Sequence, residues 1–340
     1  MSSLSESIKQ AALAQGFDVV GIAQVNLQQL KPISPSQPPN SSPSKSLLQH
    51  LRDWLSYGYH GTMEWMAKNP ERRADLQKVL PECQSIISVG INYWTDHDPH
   101  EAPGFGRIAR YAWGKDYHRL LKKRLKSLER SIAELAPEST TRSYVDTGPV
   151  MEKVWAQRAG LGWIGKHSNL VSSEFGSWLL IGEVLTTLDL QPDEAGTDLC
   201  GTCTLCIQVC PTHAITKPYV VDATKCISYL TIEYRGELTS ISPELRSQMG
   251  NRIFGCDDCL DICPYNAHAT PTKEPAFLPI ARTQRPNLLE LSEIPEEHFL
   301  RTFEGSPIRR PKYSGFQRNI QIARDNQQTR LPKTISTQPP

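Results

Sequence analysis

CGTCTLCIQVCP (200–211) and GCDDCLDICP (255–264) decide how this chain is read. The first stretch spaces Cys200, Cys203, Cys206 and Cys210 as C-x2-C-x2-C-x3-C, with Pro211 straight after. The second spaces Cys256, Cys259 and Cys263 as C-x2-C-x3-C before Pro264, and Ile253 stands where a further cysteine would complete the repeat. Two-residue gaps let one tight loop aim three thiolates at three corners of an iron–sulfur cube. The longer step followed by proline sends the next cysteine away, to a second cube. On this spacing Cys200, Cys203 and Cys206 hold one 4Fe–4S cluster, completed by Cys263. Cys256 and Cys259 hold the other, completed by Cys210 and by Cys226, which lies between the runs. Of the nine cysteines only Cys83 is left over; in LPECQSIISVG it is expected to pack as a small hydrophobe before a strand. Structural zinc uses separated C-x2-C pairs, not four cysteines in one run. Disulfides are disfavoured because MSSLSESIKQAALAQGF has an amphipathic-helix pattern without the apolar core of an export signal, and cytosolic thiols stay reduced.

With 340 residues, the chain has room for more than the cysteine module. A hydrophobic content of 39% supports a packed core, and no apolar run approaches membrane-spanning length. The net charge of +1 argues against a broadly basic nucleic-acid protein, but LKKRLKSLER (121–130) and IRRPKYSGFQRN (308–319) are locally basic. Residues 3–15 read as a helix, FDVVGIAQV as a strand, 46–57 as a helix with Leu47, Leu48, Leu51 and Leu55 on one face, and SIISVGINYW (85–94) as a buried strand. A short helix is expected to end at Pro70, RIARYAW to form a short strand, 116–135 a long helix, 151–162 a glycine-closed helix, and HSNLVSSEFGSWLLIGEVLTT a hairpin turning near Ser173–Gly176. This alternation predicts an α/β (α+β) domain with a mixed sheet over 1–192, including a Pro/Ser-rich loop at 31–46. A bacterial two-cluster ferredoxin-like module follows at 193–268, then a short helical C-terminal part at 269–326 and a disordered tail at 327–340.

A two-cluster module moves single electrons and performs no substrate chemistry by itself, so the larger domain must hold something else. No G-x-G-x-x-G run follows a strand, no G-x-x-x-x-G-K-[ST] is present, and Asp98-Pro-His100 and Asp116-Tyr-His118 both fail the D-x-H-x-x-G pattern of a cobalt-ligating histidine. The densest polar, glycine-rich stretch is YVDTGPVMEKVWAQRAGLGWIGKHSNL (144–170). Asp146 sits at a strand end, where ligands of α/β folds bind, and a desolvated carboxyl there can donate a proton. It is equally placed to cap the following helix. His167 fits a site or a satisfied loop histidine.

GTMEWMAKNPERRAD, AWGKDYH, VDTGP, AGLGWIGKHSN, CGTCTLCIQVCPTHAI, KCISYLTIEYRG, GNRIFGCDDCLDICPYN and GSPIRR…GFQRNIQIA, in this order from about residue 50 to 325, resemble epoxyqueuosine reductase. That family is a cobalamin-dependent iron–sulfur enzyme related to reductive dehalogenases. The resemblance implies reduction of epoxyqueuosine to queuosine at the tRNA wobble position. Electrons would pass through two 4Fe–4S clusters to base-off cobalamin, and Asp146 of VDTG would be the general acid. It also implies that Arg73, Ala109, Asp146, His167, Leu170 and Ser228 line the cobalamin. Implied partners are tRNA carrying epoxyqueuosine in its anticodon loop and an external low-potential electron donor. A cytoplasmic location and no membrane contact are expected from the N-terminal pattern and the lack of a long apolar run, and a monomer is the default expectation. Lys122, Lys123, Arg124, Arg309, Arg310, Lys312 and Arg318 are candidates for phosphate contacts, although 121–130 reads first as the solvated side of an amphipathic helix. The alternatives are an iron–sulfur electron-transfer protein, which would need neither cobalamin nor Asp146, and a small-molecule cobalamin reductase.

Overall fold

The computed structural model describes residues 3–25, 46–98 and 102–330. The expected Pro/Ser loop lies outside them except for Ser46, and so does the tail from 331. Helix α1 (Leu4–Ala14) starts at Ser3, whose hydroxyl accepts from the Glu6 N–H, and buries Ile8 and Ala12. Strand β1 (Val19–Gln24) follows. Helix α2 (Leu47–Ser56) opens on a capping box between Ser46 and Gln49. After α3 (Glu64–Ala67), Pro70 does not stop a helix but starts α4 (Pro70–Ala74). At a first helical position the missing N–H of proline costs nothing.

Strand β2 (Ser85–Asn92) is buried along its whole length. The RIARYAW stretch gives only a two-residue strand, β3 (Arg107–Ile108), before a 3-10 turn over Arg110–Ala112. Helix α5 (Tyr117–Leu135), capped by Asp116, leads to β4 (Thr141–Tyr144), α6 (Glu152–Arg158), β5 (Trp163–Ile164), β6 (Leu170–Val171) and β7 (Leu179–Thr186).

The main sheet has the order β1-β2-β7-β4, and every pairing in it is antiparallel, which corrects the expected mixed sheet. The reason is topological. Strands β2 and β4, joined by α5, do run the same way, as strand–helix–strand alternation suggests. β7 slots between them, so no parallel neighbours remain. The expected hairpin is corrected as well: Ser172 and Gly176 bridge its turn, but β6 pairs with β5 rather than with β7.

Both sheet faces are covered, which is why β2 reads as a continuous apolar run. Ile87, Val89 and Ile91 meet Ile8, Leu121, Leu125 and Leu128 of α1 and α5 on one face. Ile86 and Leu185 meet Trp155 and Ala156 of α6 on the other. Each such side chain contributes about 1.5–3 kcal/mol by leaving water.

A third core ties the rest together. Ile108 and Trp113 pack with Ile253 and Phe254 of the cysteine module and with Phe299, Phe303, Phe316 and Ile320 of the C-terminal part. Phe316 and Ile320 lie on the long helix Lys312–Arg330, which continues past the expected tail start at 327.

Candidate active site

Beyond β4, Val145 is buried and Asp146 takes a left-handed backbone, φ 51°, a conformation that Asp tolerates better than most residues. Gly148 must be glycine here, because a Cβ would lie 2.3 Å from the Tyr144 ring. Helix α6 begins after Met151 with no side-chain cap, so Asp146 is not its N-cap. The turn presents the carboxyl to a cavity instead, with the side chain 53% exposed.

The first turn of α5 completes the arrangement. The Tyr117 hydroxyl donates to Asp146 Oδ2. His118 Nε2 stands 3.6 Å from the same oxygen, and its Nδ1 stands 2.8 Å from Asp116 Oδ1. The Tyr117 and His118 rings stack at 4.1 Å. Burial and the Asp146 charge push the Tyr117 hydroxyl far up, so it stays a donor. Burial pulls His118 down, but the Asp116 hydrogen bond and the charges of Asp146 and Asp116 prevail, and its pKa is raised above the ordinary 6.5.

The cavity measures about 2400 Å³, well beyond the roughly 300–1,000 Å³ of ordinary small-molecule sites. Arg73 of α4, Glu152 and Lys153 of α6, Ser168, Tyr219 and Arg310 line it along with Asp146. Arg73 donates to Trp65 O at 3.2 Å and Gly148 O at 3.5 Å. Among the described residues Arg73 Nε, Glu152 Oε1 and Ser168 Oγ are buried without hydrogen-bond partners. A wall that leaves polar atoms unpaired is built for a ligand that pairs them. Burial, then the Asp146 charge, pushes the Glu152 carboxyl up to about 7.

Of the residues expected at the cofactor, Asp146 and Arg73 lie on this wall. Ala109, His167, Leu170 and Ser228 do not line it. Ala109 is buried against Gly255, where an added Cβ would meet its own at 2.5 Å. Leu170 is in the core beneath α6. Ser228 follows Cys226 in the helix Ile227–Ile232. His167 is buried; its Nδ1 accepts from the Asn169 N–H at 3.1 Å and its Nε2 lies 3.5 Å from Ser177 Oγ. Burial and the Lys153 charge push it down to about 4, so it is neutral. Tyr117, Glu152 and Lys153 were not singled out from the sequence, and His118 was considered only as a cobalt ligand. The available signal was DYH, where one aspartate caps a helix and orients the histidine two residues on.

Among the expected phosphate contacts, Arg318 is corrected. It is 8% exposed and donates to Leu230 O, Tyr234 O and Gly236 O. Arg124 is tied to Glu274, and Arg310 to Glu233 at 2.9 and 3.0 Å. Lys122, Lys123, Arg309 and Lys312 are exposed.

The cysteines are free thiols and fall into two groups. Burial and then the charges of Cys200, Cys203 and Cys263 push the Cys206 thiol up to about 11. Burial and then Cys256, Cys226 and Cys210, with Asp257, raise that of Cys259. No three metal-ligating side chains among the described residues stand close enough to hold a single ion. Thiols that repel one another as anions need a shared cation, and four soft sulfur donors per group suit an iron–sulfur cube.

Comparison with known proteins matches two segments of the chain. A family model described as epoxyqueuosine reductase QueG, DUF1730, matches residues 73–147, and a 4Fe-4S double cluster binding domain matches residues 199–266. Epoxyqueuosine reductase of Synechocystis sp. is 44% identical over 287 residues, covering 84% of this chain and 97% of that protein. The Escherichia coli K12 protein of the same name is 41% identical over 330 residues, covering 96% and 82%. A crystal structure of epoxyqueuosine reductase with an epoxyqueuosine-modified tRNA-Tyr stem loop superposes with a TM-score of 0.82 at 28% identity, covering 95% of this chain and 81% of that one. The Bacillus subtilis enzyme with its catalytic loop swung out of the active site gives a TM-score of 0.82 at 28% identity, covering 95% and 82%. With this identity over nearly the whole length of its relatives, the chain is an oxidoreductase of the epoxyqueuosine reductase family.

Proposed function

We propose that the chain reduces the epoxide of epoxyqueuosine at the wobble position of tRNA to the alkene of queuosine. The observation that carries this reading is the Asp146 carboxyl on a large cavity wall, with Tyr117 and His118 on one of its oxygens. The reaction consumes two electrons and two protons. Both C–O bonds of the epoxide break and water leaves. An alkoxide is a poor leaving group, so a proton must arrive as the first C–O bond opens. Asp146 delivers it. Tyr117 holds the carboxyl in place, and His118, whose hold on a proton Asp116 strengthens, returns one to it for the second protonation.

Cys200, Cys203, Cys206 and Cys263 hold one 4Fe–4S cluster, and Cys210, Cys226, Cys256 and Cys259 the other. The unpaired atoms of Arg73, Glu152 and Ser168 and the size of the cavity fit cobalamin, whose rim of amides needs such partners. Ala109, His167, Leu170 and Ser228 would support that wall from behind. When bound, cobalamin supplies a low-valent cobalt that gives electrons to the epoxide. The exposed Lys122, Lys123, Arg309 and Lys312 would take tRNA phosphates while the wobble base is extruded into the cavity.

Anaerobic reconstitution with iron, sulfide and cobalamin, followed by reduction in the presence of epoxyqueuosine-containing tRNA and nucleoside analysis, tests this. Queuosine should form only with cobalamin. Asp146→Ala should lose about 10²–10⁴-fold in rate with both cofactors still bound. Full iron loading with no cobalamin retained and no conversion would leave an electron carrier instead.

A further inference from the structure

Lys166 is a buried cation without a carboxylate. It is 9% exposed, and its Nζ donates to Gly201 O at 2.6 Å and Cys203 O at 2.7 Å, both in the loop that carries three of the four thiols of one group. Its backbone favours the Cys200 thiolate, and its C=O accepts from the Tyr219 N–H at 3.0 Å. The acid of this loop, Asp198, is engaged elsewhere: Oδ1 takes the Cys200 N–H at 2.8 Å and Oδ2 takes the Tyr219 hydroxyl. No carboxylate among the described residues pairs with Lys166.

The other thiol group differs. Its neighbouring cation, Arg252, bonds the Cys256 thiol and is paired with Asp258, Nε to Oδ1 at 3.2 Å. Lys153 is a second cation beside that group, and the charges of Asp146 and Glu152 act on it more strongly than Cys259 and Cys226 do. The cations of that group thus answer to carboxylates, whereas Lys166 answers to none.

An unpaired buried ammonium is costly unless an anion is close. A 4Fe–4S cube with four thiolates is an anion, and it gains one more negative charge on reduction. Reduction therefore strengthens its attraction to a fixed cation. We propose that Lys166 is the counterion of the cluster held by Cys200, Cys203, Cys206 and Cys263, and that it makes this cluster the easier of the two to reduce. The inference rests on the cluster assignment made above. Hydrogen bonds to sulfur do not separate the two groups: Trp163 Nε1 lies 3.5 Å from Cys200 Sγ in one, and the Ala214 N–H donates to Cys210 Sγ at 3.2 Å in the other.

The consequence is an order of events. Cys226 and Cys259 of the other group act on Lys153, which lines the cavity. Asp198 and Tyr219, beside the Lys166 group, line the cavity too, so the order follows from potential rather than distance: the cluster beside Lys166 takes the first electron and holds it until a second arrives. That suits a two-electron reduction fed by a one-electron carrier.

Lys166→Met and Lys166→Gln test this. Reconstituted wild type and variants are assayed for iron and sulfide, then titrated anaerobically with the reduced clusters followed by electron paramagnetic resonance. In fully loaded variants the higher of the two midpoints should fall, changing the reduced-to-oxidised ratio at fixed potential about tenfold, or 59 mV for one electron. The lower midpoint should not move, and Lys166→Arg should keep the higher one. A higher midpoint unmoved by loss of the charge overturns the inference, as does movement of the lower one alone. If the neutral variants fail to load, a loaded Lys166→Arg that has lost the higher midpoint overturns it too. Wild type without two clusters overturns the cluster assignment itself, before any variant is compared.

Discussion

The cysteine module and the cavity wall are encoded in opposite ways. In the module, seven of the eight expected ligands come from two short runs, and each run fixes its own geometry. On the wall, Asp146 follows β4, Tyr117 and His118 open α5, Glu152 opens α6 and Arg73 lies on α4. These meet only because the sheet and its helices bring them together. The two regions also differ in charge. The module gathers thiols that resist ionisation until a cluster holds them, whereas on the wall burial and the Asp146 charge push the Glu152 carboxyl up. Local spacing can be read residue by residue, but a cavity made by tertiary packing offers the sequence only isolated hints.

The strongest way to break this contrast is to remove the ligand that crosses between runs. Cys263 belongs by sequence to the second run but by position to the first group. Cys263→Ala should lose roughly half the iron, because one of two clusters cannot close. Epoxide reduction driven by a protein electron donor should stop. Cys83→Ser is the contrast. Cys83 is 1% exposed in the core beneath α6, and burial pushes its thiol up to about 11, so iron content should not change. Full iron in Cys263→Ala would mean that the spacing had been misread.

What the sequence showed follows the same division. Ser3, Ser46 and Asp116 each mark a helix start, and the apolar face of α5 appears as the residues that the core buries. The antiparallel sheet was hidden because β7 inserts between β2 and β4 from nearly forty residues further along the chain. Arg318 looked like a phosphate contact because its neighbours are basic, and nothing local shows that three carbonyls from 230–236 would enclose it. Asp146 was visible by its turn, but Tyr117 and His118, almost thirty residues upstream, were not visible as its partners.

A smaller effect would sharpen the account of the wall. Burial alone would lower His118, and Asp116 with Asp146 reverses that, so its pKa lies above the ordinary 6.5. If protonated His118 reloads Asp146, kcat/KM should fall as pH rises through that raised value. Asp116→Asn removes the partner on Nδ1 and weakens the hold on the proton. The falling limb should then move to lower pH by up to about one unit. Activity at pH 6 should change little and activity at pH 8 should drop several-fold, up to about tenfold. A limb that stays in place would make Asp116 a helix cap and nothing more.

The smallest expected effect belongs to Glu152. Its folded carboxyl titrates at about 7 against an ordinary 4.5, so the folded state holds this proton more tightly than the unfolded chain. The stability that this provides is fully present below 4.5 and is lost as pH rises through 7. Above that, the protein keeps an anion beside Asp146 in a partly dry wall. Glu152→Gln is neutral throughout and escapes the loss. Cluster-loaded, cobalamin-free Glu152→Gln should gain about 1–2 kcal/mol at pH 8, after discounting for solvent in the open cavity. An anaerobic thermal scan should show this as a rise of about 2–4 °C, with no gain at pH 5. A loss at pH 8 would mean that attraction to Arg73 outweighs burial. Glu152 would then be a fixed negative partner of that arginine, and its unpaired oxygen would no longer mark a place left for a ligand.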